Sequence, residues 1–154
     1  SAQAEVFRAI RSRLIMRLFS DEKPRHALAV MSTDSGDGKT YFSANLAVAF
    51  SQLPGRTLLI DGDMRTPRLH ELFKLKNEGP GLSGILSGRA ASRVIQSVQG
   101  LPSLFVLPVG VVPPNPLELL ERPALIAMIG WVLNAVRLAK PAAAVRSSAM
   151  TSSP

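Results

Sequence analysis

Residues 29–41 read Ala-Val-Met-Ser-Thr-Asp-Ser-Gly-Asp-Gly-Lys-Thr-Tyr, and this stretch decides the fold. An apolar run leads into a turn of small residues, Gly38-Lys39-Thr40 follows, and a helical pattern comes next. This order is typical of a loop that cradles phosphate, because backbone N–H groups turn inward and the following helix directs its positive end at the anion. We expect Lys39 to reach the β- and γ-phosphates and the Thr40 hydroxyl to hold Mg²⁺.

The turn inside this stretch depends on two glycines. We expect only glycine to allow the close backbone approach at Gly36 and Gly38. The full pattern asks for a third glycine six residues before the lysine, and this chain has Thr33 there. The residues predicted to contact a nucleotide are Ser35, Gly36, Asp37, Gly38, Lys39, Thr40 and Tyr41.

A second motif lies about twenty residues further on, where residues 56–65 read Arg-Thr-Leu-Leu-Ile-Asp-Gly-Asp-Met-Arg. Side chains alternate along a strand, so Asp61 and Asp63 are expected to leave the strand end on the same side. Ligands of open α/β sheets bind at that end of the strands. Two carboxylates beside a phosphate loop suit a Mg²⁺ ion that keeps several of its waters. An acidic turn that merely ends a strand is the alternative.

Composition narrows the class of protein. The chain has 154 residues, 46% hydrophobic content and no cysteine, so it can build a core but no disulfide or thiolate metal site. The net charge of +7 suits nucleic acid, an anionic membrane surface or solvated faces equally. Aromatic residues make up 5% and do not alternate with basic ones, so we do not expect a nucleic-acid partner. No signal peptide is recognisable, and the missing initial methionine indicates a fragment or a processed chain.

The first half of the chain alternates helical and extended patterns. Apolar residues at every fourth position predict a helix over residues 5–19. A continuous apolar run predicts a buried strand over 26–32, followed by a helix over 39–53 and a strand over 57–61. This order predicts a right-handed parallel crossover. The predicted fold class is therefore an α/β P-loop NTPase, with a parallel sheet flanked by helices.

The second half is less regular. Short helical segments are predicted over 67–73, 82–86 and 92–98, and a third strand over 104–108. A proline-rich loop opens a further helix, with Pro116 near its first turn.

The end of the chain differs in composition from the rest. Glu121 is the final acidic residue, and residues 141–154 are of low complexity and predicted to be disordered. We predict an N-terminal helical segment over 1–25, a nucleotide-binding core over 26–122 and an atypical tail over 123–154. We interpret the tail as a truncated or out-of-frame ending, so the core is expected to be incomplete on its C-terminal side.

Taken together, the motifs resemble one family, the bacterial tyrosine kinases that regulate polysaccharide export. These are P-loop relatives of the partition and division-site ATPases. The loop at 32–40 is similar to the family's Walker A loop, with Ser35 where proline is usual. Residues 58–65, three apolar residues followed by Asp-x-Asp-x-Arg, are similar to its second signature. Further similarity lies at Gly81-Leu-Ser-Gly-Ile-Leu, at residues 107–120 and at Glu5-x-x-Arg8-x-x-Arg11, so that the resemblance covers roughly residues 1–122.

The resemblance implies ATP and Mg²⁺ as cofactors and protein tyrosine as the substrate. Lys39, Asp61 and Asp63 are then the catalytic residues, and Thr40 joins the two aspartates at the metal. Which aspartate acts as the base stays open. The resemblance also implies a homo-oligomeric ring formed through Glu5, Arg8 and Arg11. The implied partner is a transmembrane polysaccharide co-polymerase that regulates chain length, and the implied location is the cytoplasmic side of the inner membrane.

The chain departs from that family in two respects. A third signature, an apolar strand ending in Asp-x-x-Pro, is missing, because Asp63 is the last aspartate. The tyrosine-rich tail is missing too, and Tyr41 is the only tyrosine. Self-phosphorylation of a tyrosine cluster is therefore not expected, and the catalytic competence of this chain stays open. The alternatives are an ATPase of the partition or division-site kind and a non-catalytic module that binds nucleotide.

Overall fold

The computed structural model describes residues 1–19, 27–34, 36–89, 93–121 and 123–138. Within these residues, a small sheet lies between two layers of helices, and one further helix packs on the outside.

Three strands form the sheet: β1 spans Thr57–Ile60, β2 spans Gln96–Val98 and β3 spans Leu101–Leu107. Their order across the sheet is β1-β3-β2. Strands β1 and β3 are parallel, with Thr57 opposite Leu104, whereas β2 runs antiparallel to β3. The predicted α/β class is therefore confirmed, but the sheet is mixed and not wholly parallel.

The helices described are α1 (Ala2–Leu14), α2 (Lys39–Ser51), α3 (Leu69–Leu72), α4 (Leu82–Leu86), α5 (Pro116–Glu121) and α6 (Pro123–Leu138). A π-helical turn, Ile15–Phe19, continues α1. The predicted helices over 5–19 and 39–53 are confirmed. The first begins earlier than predicted, because the Ser1 hydroxyl accepts a hydrogen bond from the Ala4 N–H at 3.4 Å and caps it.

The two faces of the sheet carry separate hydrophobic clusters, since side chains alternate along each strand. Leu59 belongs to the cluster beneath α2 and α3, which contains Leu104 and Val106. Leu58 and Ile60 belong to the cluster beneath α4, α5 and α6. Both faces of this short sheet are thus covered by helices.

Helix α1 packs on α2 and not on the sheet. Phe7 is its buried residue, and it contacts Leu46 and Ala49. The Phe7 ring also lies 5.6 Å, centroid to centroid, from the ring of Phe42. Burying a phenylalanine side chain contributes about 1.5–3 kcal/mol to stability, so the burial of Phe7 helps to fix the position of α1 on α2.

The predicted strand over 26–32 is wrong. Residues 27–32 form no strand, and Leu28 and Met31 are 43% and 87% exposed. A continuous apolar run becomes a buried strand only where a neighbour pairs with it. Within the described residues, β1 pairs with β3 and with no segment on its other edge. The predicted crossover from this segment to β1 is therefore not formed, and His26 lies outside the described residues.

The predicted helix over 92–98 is also wrong, although Ser92 itself lies outside the described residues. Residues 96–98 are strand β2, which returns as β3 through a turn at Gln99 and Gly100. Gly100 has a φ of +80°, a backbone conformation that favours glycine and suits a tight hairpin. The β-branched residues Val94, Ile95 and Val98 favour an extended chain as well.

The remaining short elements agree with expectation: helical turns at α3, α4 and α5, and a strand at β3. The predicted tail, 123–154, begins with a helix. Helix α6 spans Pro123–Leu138, and Met128 is buried in the hydrophobic cluster that also contains Leu58 and Ile60. The predicted disordered stretch, 141–154, lies outside the described residues. No helix among those described has the length and the apolar character that crossing a membrane requires.

Candidate functional site

The loop that precedes α2 has the backbone that its glycines predict. Gly36 has a φ of +92°, and Gly38, which is the N-cap of α2, has a φ of +78°. Adjoining residues aside, a Cβ at either position would have no atom of the described residues within 4 Å. Conformation, and not lack of space within the chain, is therefore what requires glycine here. Ser35, also predicted to contact nucleotide, lies outside the described residues.

Lys39 is held across this loop by the loop's own acceptors. Its Nζ donates to Ser32 Oγ at 2.7 Å and to the Asp34 carbonyl at 2.9 Å. Two of the three ammonium protons are thus engaged, and the third is available to a ligand. Asp37 closes the loop from the other side, because its Oδ2 accepts from the Asp34 N–H at 3.2 Å.

A cleft of about 270 Å³ opens beside the Lys39 side chain. One wall comes from the loop before α2, and the other comes from the segment after β1. The structure therefore places Lys39 and Asp63 on the same cavity, as the two motifs predict. The residues that line this cleft are Ser32, Thr33, Asp34, Lys39, Asp63, Arg65 and Thr66.

Asp61 follows β1 directly and is buried, with 4% of its surface exposed. Its Oδ1 accepts from the Asp63 N–H at 3.1 Å, and its Oδ2 accepts from the Leu69 N–H at 3.2 Å. Burial raises the pKa of Asp61, and the backbone hydrogen bonds oppose that rise. Both oxygens thus help to hold the segment 61–69 in place, and Asp61 is buried and does not line the cleft.

Asp63 is only partly buried and does line the cleft. Its Oδ1 accepts from the Thr66 N–H at 3.0 Å and from the Arg65 N–H at 3.2 Å. The Thr66 N–H is the main cause of a pKa below the usual range for Asp63, and the Lys39 ammonium lowers that pKa further. Asp63 thus lies on the cleft with a lowered pKa, whereas Asp61 is buried with a raised pKa.

The donors fit a magnesium ion that arrives with a nucleotide. Mg²⁺ keeps several waters and takes one or two protein ligands together with phosphate oxygens. Asp63 offers a carboxylate at the cleft, whereas Thr40 lies in the first turn of α2 and is not among the residues that line the cleft. Among the described residues, no group of three or more His, Cys, Asp or Glu side chains could hold a metal without other ligands. A metal ion at this cleft would therefore take its other ligands from a bound phosphate and from water.

Tyr41 is directed away from the cleft. Its hydroxyl accepts a hydrogen bond from the Gln3 side-chain amide of α1, and the ring is about half exposed. Its carbonyl accepts from the Asn45 side chain at 2.8 Å, within α2. The side chain thus links α2 to α1, and Tyr41 does not line the cleft.

The three residues predicted to join subunits all lie on α1, in two different environments. Glu5 and Arg8 are exposed, and Arg8 Nε donates to Gln52 Oε1 at 3.3 Å. Arg11 is partly buried and donates to the Ala49 carbonyl near the end of α2. Its position at that end also complements the negative pole of the helix.

Several cleft residues carry no role in the motifs. Three of them, Ser32, Thr33 and Asp34, precede the glycines of the loop. Small and polar residues are expected there, but the motifs predict no specific function for them. Thr66 has a weak signal, since a threonine three residues after an aspartate commonly bonds back to it in a turn. Arg65 belongs to the second motif, and its place in the cleft follows from that of Asp63.

Comparisons with known proteins show the family of the chain. Residues 28–151 match the family described as the CobQ/CobB/MinD/ParA nucleotide binding domain. The chain is 36% identical over 135 residues to the putative tyrosine-protein kinase CapB of Staphylococcus aureus, covering 87% of this chain and 58% of the relative. It is 38% identical over 130 residues to tyrosine-protein kinase CpsD of Streptococcus agalactiae, covering 84% and 55%.

A solved structure is also similar to this chain. The kinase domain of Escherichia coli tyrosine kinase ETK is 33% identical to the chain and superposes with a TM-score of 0.79. That superposition covers 86% of this chain and 51% of the other. The chain thus spans somewhat more than half the length of the relatives named above.

Proposed function

The chain belongs to the CobQ/CobB/MinD/ParA family of nucleotide-binding domains, and from this membership we propose that it is the ATP-binding part of a bacterial tyrosine kinase. The kinase would regulate the chain length and export of capsular or exopolysaccharide. It would act at the cytoplasmic face of the inner membrane, with a transmembrane polysaccharide co-polymerase as partner. The observation that carries the proposal is the cleft shared by Lys39 and Asp63.

Nucleotide binding is the first part of the proposed function. The amides of residues 36–40 and the positive end of α2 would receive the phosphates. The Lys39 ammonium, already held at the mouth of the loop by Ser32, would neutralise charge on the β- and γ-phosphates. Mg²⁺, bound to the phosphates and held near Thr40 and Asp63, would supply further charge neutralisation.

Phosphoryl transfer is the second part. A tyrosine hydroxyl of another protein forms the new bond to the γ-phosphorus, the bond to the β–γ bridging oxygen breaks, and ADP leaves. Asp63 is the candidate acceptor for the phenolic proton, because its carboxylate lines the cleft with Lys39 and is fixed there by the Arg65 and Thr66 N–H groups. Such reactions need little base catalysis, so positioning and charge neutralisation are expected to supply most of the rate. Asp61 supports the same segment from within the protein.

Incubation with labelled ATP and a tyrosine-bearing peptide tests this proposal. Phosphotyrosine that is lost in Asp63→Asn and retained in Glu78→Gln, an exposed acid outside the cleft, supports a kinase. Free phosphate without phosphotyrosine favours the ATPase alternative. Nucleotide binding without either product favours a non-catalytic module and contradicts the kinase.

Assembly into a ring belongs to the same proposal. Glu5 and Arg8 are exposed on α1 and would meet a neighbouring subunit, whereas Arg11 would orient α1 through its bond to the Ala49 carbonyl. Light scattering tests this with Arg8→Ala, using Arg13→Ala on the same helix as the matched control. Loss of the oligomer in Arg8→Ala alone supports the assignment. A monomer in every case, parent included, contradicts it.

A further inference from the structure

The segment between β1 and α3 contains a turn that is closed by its own carboxylate. Asp63 Oδ1 accepts from the N–H groups of Arg65 and Thr66 at 3.2 and 3.0 Å. The Thr66 hydroxyl donates to the other oxygen, Oδ2, at 3.3 Å. Both oxygens of Asp63 are therefore held, one by the backbone and one by a side chain.

The side-chain bond does something that the two backbone bonds cannot. Bonds to Oδ1 alone fix one oxygen and leave the carboxylate plane free to turn about the Cβ–Cγ bond, a broad torsion. A hydroxyl on Oδ2 fixes that plane. Threonine suits this role because branching at its Cβ restricts χ1, the torsion that places the hydroxyl oxygen.

The count of acceptor sites indicates where the carboxylate can still bind. An ionised carboxylate offers about four lone-pair positions, and three of them are engaged here. Asp63 and Thr66 both line the cleft next to Lys39. One acceptor position therefore stays available, in an orientation that Thr66 sets.

We propose that Thr66 is a positioning residue, whose hydroxyl holds the Asp63 carboxylate in the orientation that receives the substrate hydroxyl or a metal-bound water. The inference rests on the proposed kinase function, but the hydrogen bond that it invokes can be tested separately. Thr66 lies outside the phosphate loop, so its hydroxyl should affect the reaction step and leave nucleotide binding largely intact.

The first measurement is the carboxyl ¹³C resonance of Asp63 in the full chain, labelled at aspartate and held at pH 7, with Asp63→Asn for assignment. Thr66→Val removes the hydroxyl and keeps the shape, whereas Thr66→Ser keeps the hydroxyl. We expect the Asp63 resonance to move in Thr66→Val and to return toward its parent position in Thr66→Ser. The Asp61 resonance should stay in place throughout, because its partners are the Asp63 and Leu69 N–H groups.

The second measurement is phosphate transfer from ATP to a tyrosine-bearing peptide. Loss of a hydrogen bond to a charged group should lower kcat about tenfold in Thr66→Val. The KM for ATP should change by less than about twofold, and Thr66→Ser should restore kcat.

Two results would overturn the inference: an unmoved Asp63 resonance in Thr66→Val, or a serine variant that behaves like the valine one. A parent chain that transfers no phosphate to tyrosine would overturn the proposed function instead. The carboxyl resonance would then still decide whether the Thr66 hydroxyl holds Asp63.

Discussion

Glycine serves different ends in two regions of this molecule. In the loop before α2, Gly36 and Gly38 have positive φ angles and open space around them. At the chain crossing between α4 and the end of β3, a Cβ on Gly81 would lie 2.3 Å from the Pro108 carbonyl oxygen. A Cβ on Gly110 would lie 2.3 Å from the Gly81 nitrogen. The loop needs glycine for its conformation, and the crossing needs it for want of space.

The difference indicates how the site is built. At the crossing, the Leu82 N–H donates to the Pro108 carbonyl at 2.9 Å and the Ser83 N–H to the Val109 carbonyl at 3.0 Å, all among buried residues. The Asp61 N–H donates to the Leu107 carbonyl at 3.0 Å, which ties the second motif to the same end of the sheet. The crossing is thus a rigid support. The loop, in contrast, is exposed, and its internal hydrogen bonds join the Lys39 ammonium to Ser32 and Asp34 and the Asp37 carboxylate to the Asp34 N–H.

The largest effect is expected from Gly110→Ala. The new methyl group would collide with backbone atoms and would also require a φ of +78°. We expect a loss of about 3 kcal/mol or more in the free energy of unfolding, measured by urea denaturation.

Gly79→Ala is the matched control for this change, since a Cβ there would have no neighbour within 4 Å. It should cost less than about 1 kcal/mol. Equal losses in the two variants would show that the crossing is not the tight contact described.

A smaller effect on stability is expected from Gly38→Ala. The methyl group has room, so the cost is that of a left-handed alanine, about 1 kcal/mol. Nucleotide affinity, measured by calorimetry, should fall as well, because alanine favours conformations in which the loop amides are no longer aligned. A variant that binds ATP as the parent does would remove the conformational role of this glycine.

The smallest effect concerns pH and contrasts Asp61 with Asp63. Burial raises the pKa of Asp61 above its ordinary 3.8, so its contribution to stability is present below that pH and is lost as pH rises through the raised pKa. The Thr66 N–H lowers the pKa of Asp63, so its contribution is present above pH 3.8 and is lost as pH falls through the lowered pKa.

Unfolding free energies of the metal-free chain, followed through this pH range, test the contrast. Asp61→Asn should remove a decline in stability with rising pH, and Asp63→Asn should remove an increase. Slopes that change in the same direction would contradict the different environments of the two carboxylates.

Sequence alone predicted what depends on neighbouring residues. Local periodicity predicts the α2 helix and the β1 strand, and glycine spacing predicts the loop before α2. The two motifs together predict that Lys39 and Asp63 lie on the same cleft. Sequence also predicted two aspartates at the strand end but could not rank them. Asp61 is the buried one, and its carboxylate accepts from the N–H of Leu69, eight positions further along the chain. A partner at that distance is not evident from the sequence.

What sequence did not predict depends on distant partners. The apolar run at 27–32 has the composition of a strand, but strand formation requires a paired neighbour, which composition does not disclose. The segment 92–98 lacked a clear period, and its hairpin was signalled by Gly100 and the β-branched residues around it. The contact of Gly81 with Gly110 joins positions 29 apart, and no local pattern marks it.

The central claim is that the loop ending in Lys39 binds the phosphates of ATP. Calorimetric titration of the full chain with ATP and Mg²⁺ tests it most directly, comparing the parent, Lys39→Ala and Lys76→Ala, which removes an exposed lysine outside the cleft. The account predicts binding in the parent and in Lys76→Ala, and affinity at least about tenfold weaker in Lys39→Ala. Equal affinity in the parent and Lys39→Ala would contradict it.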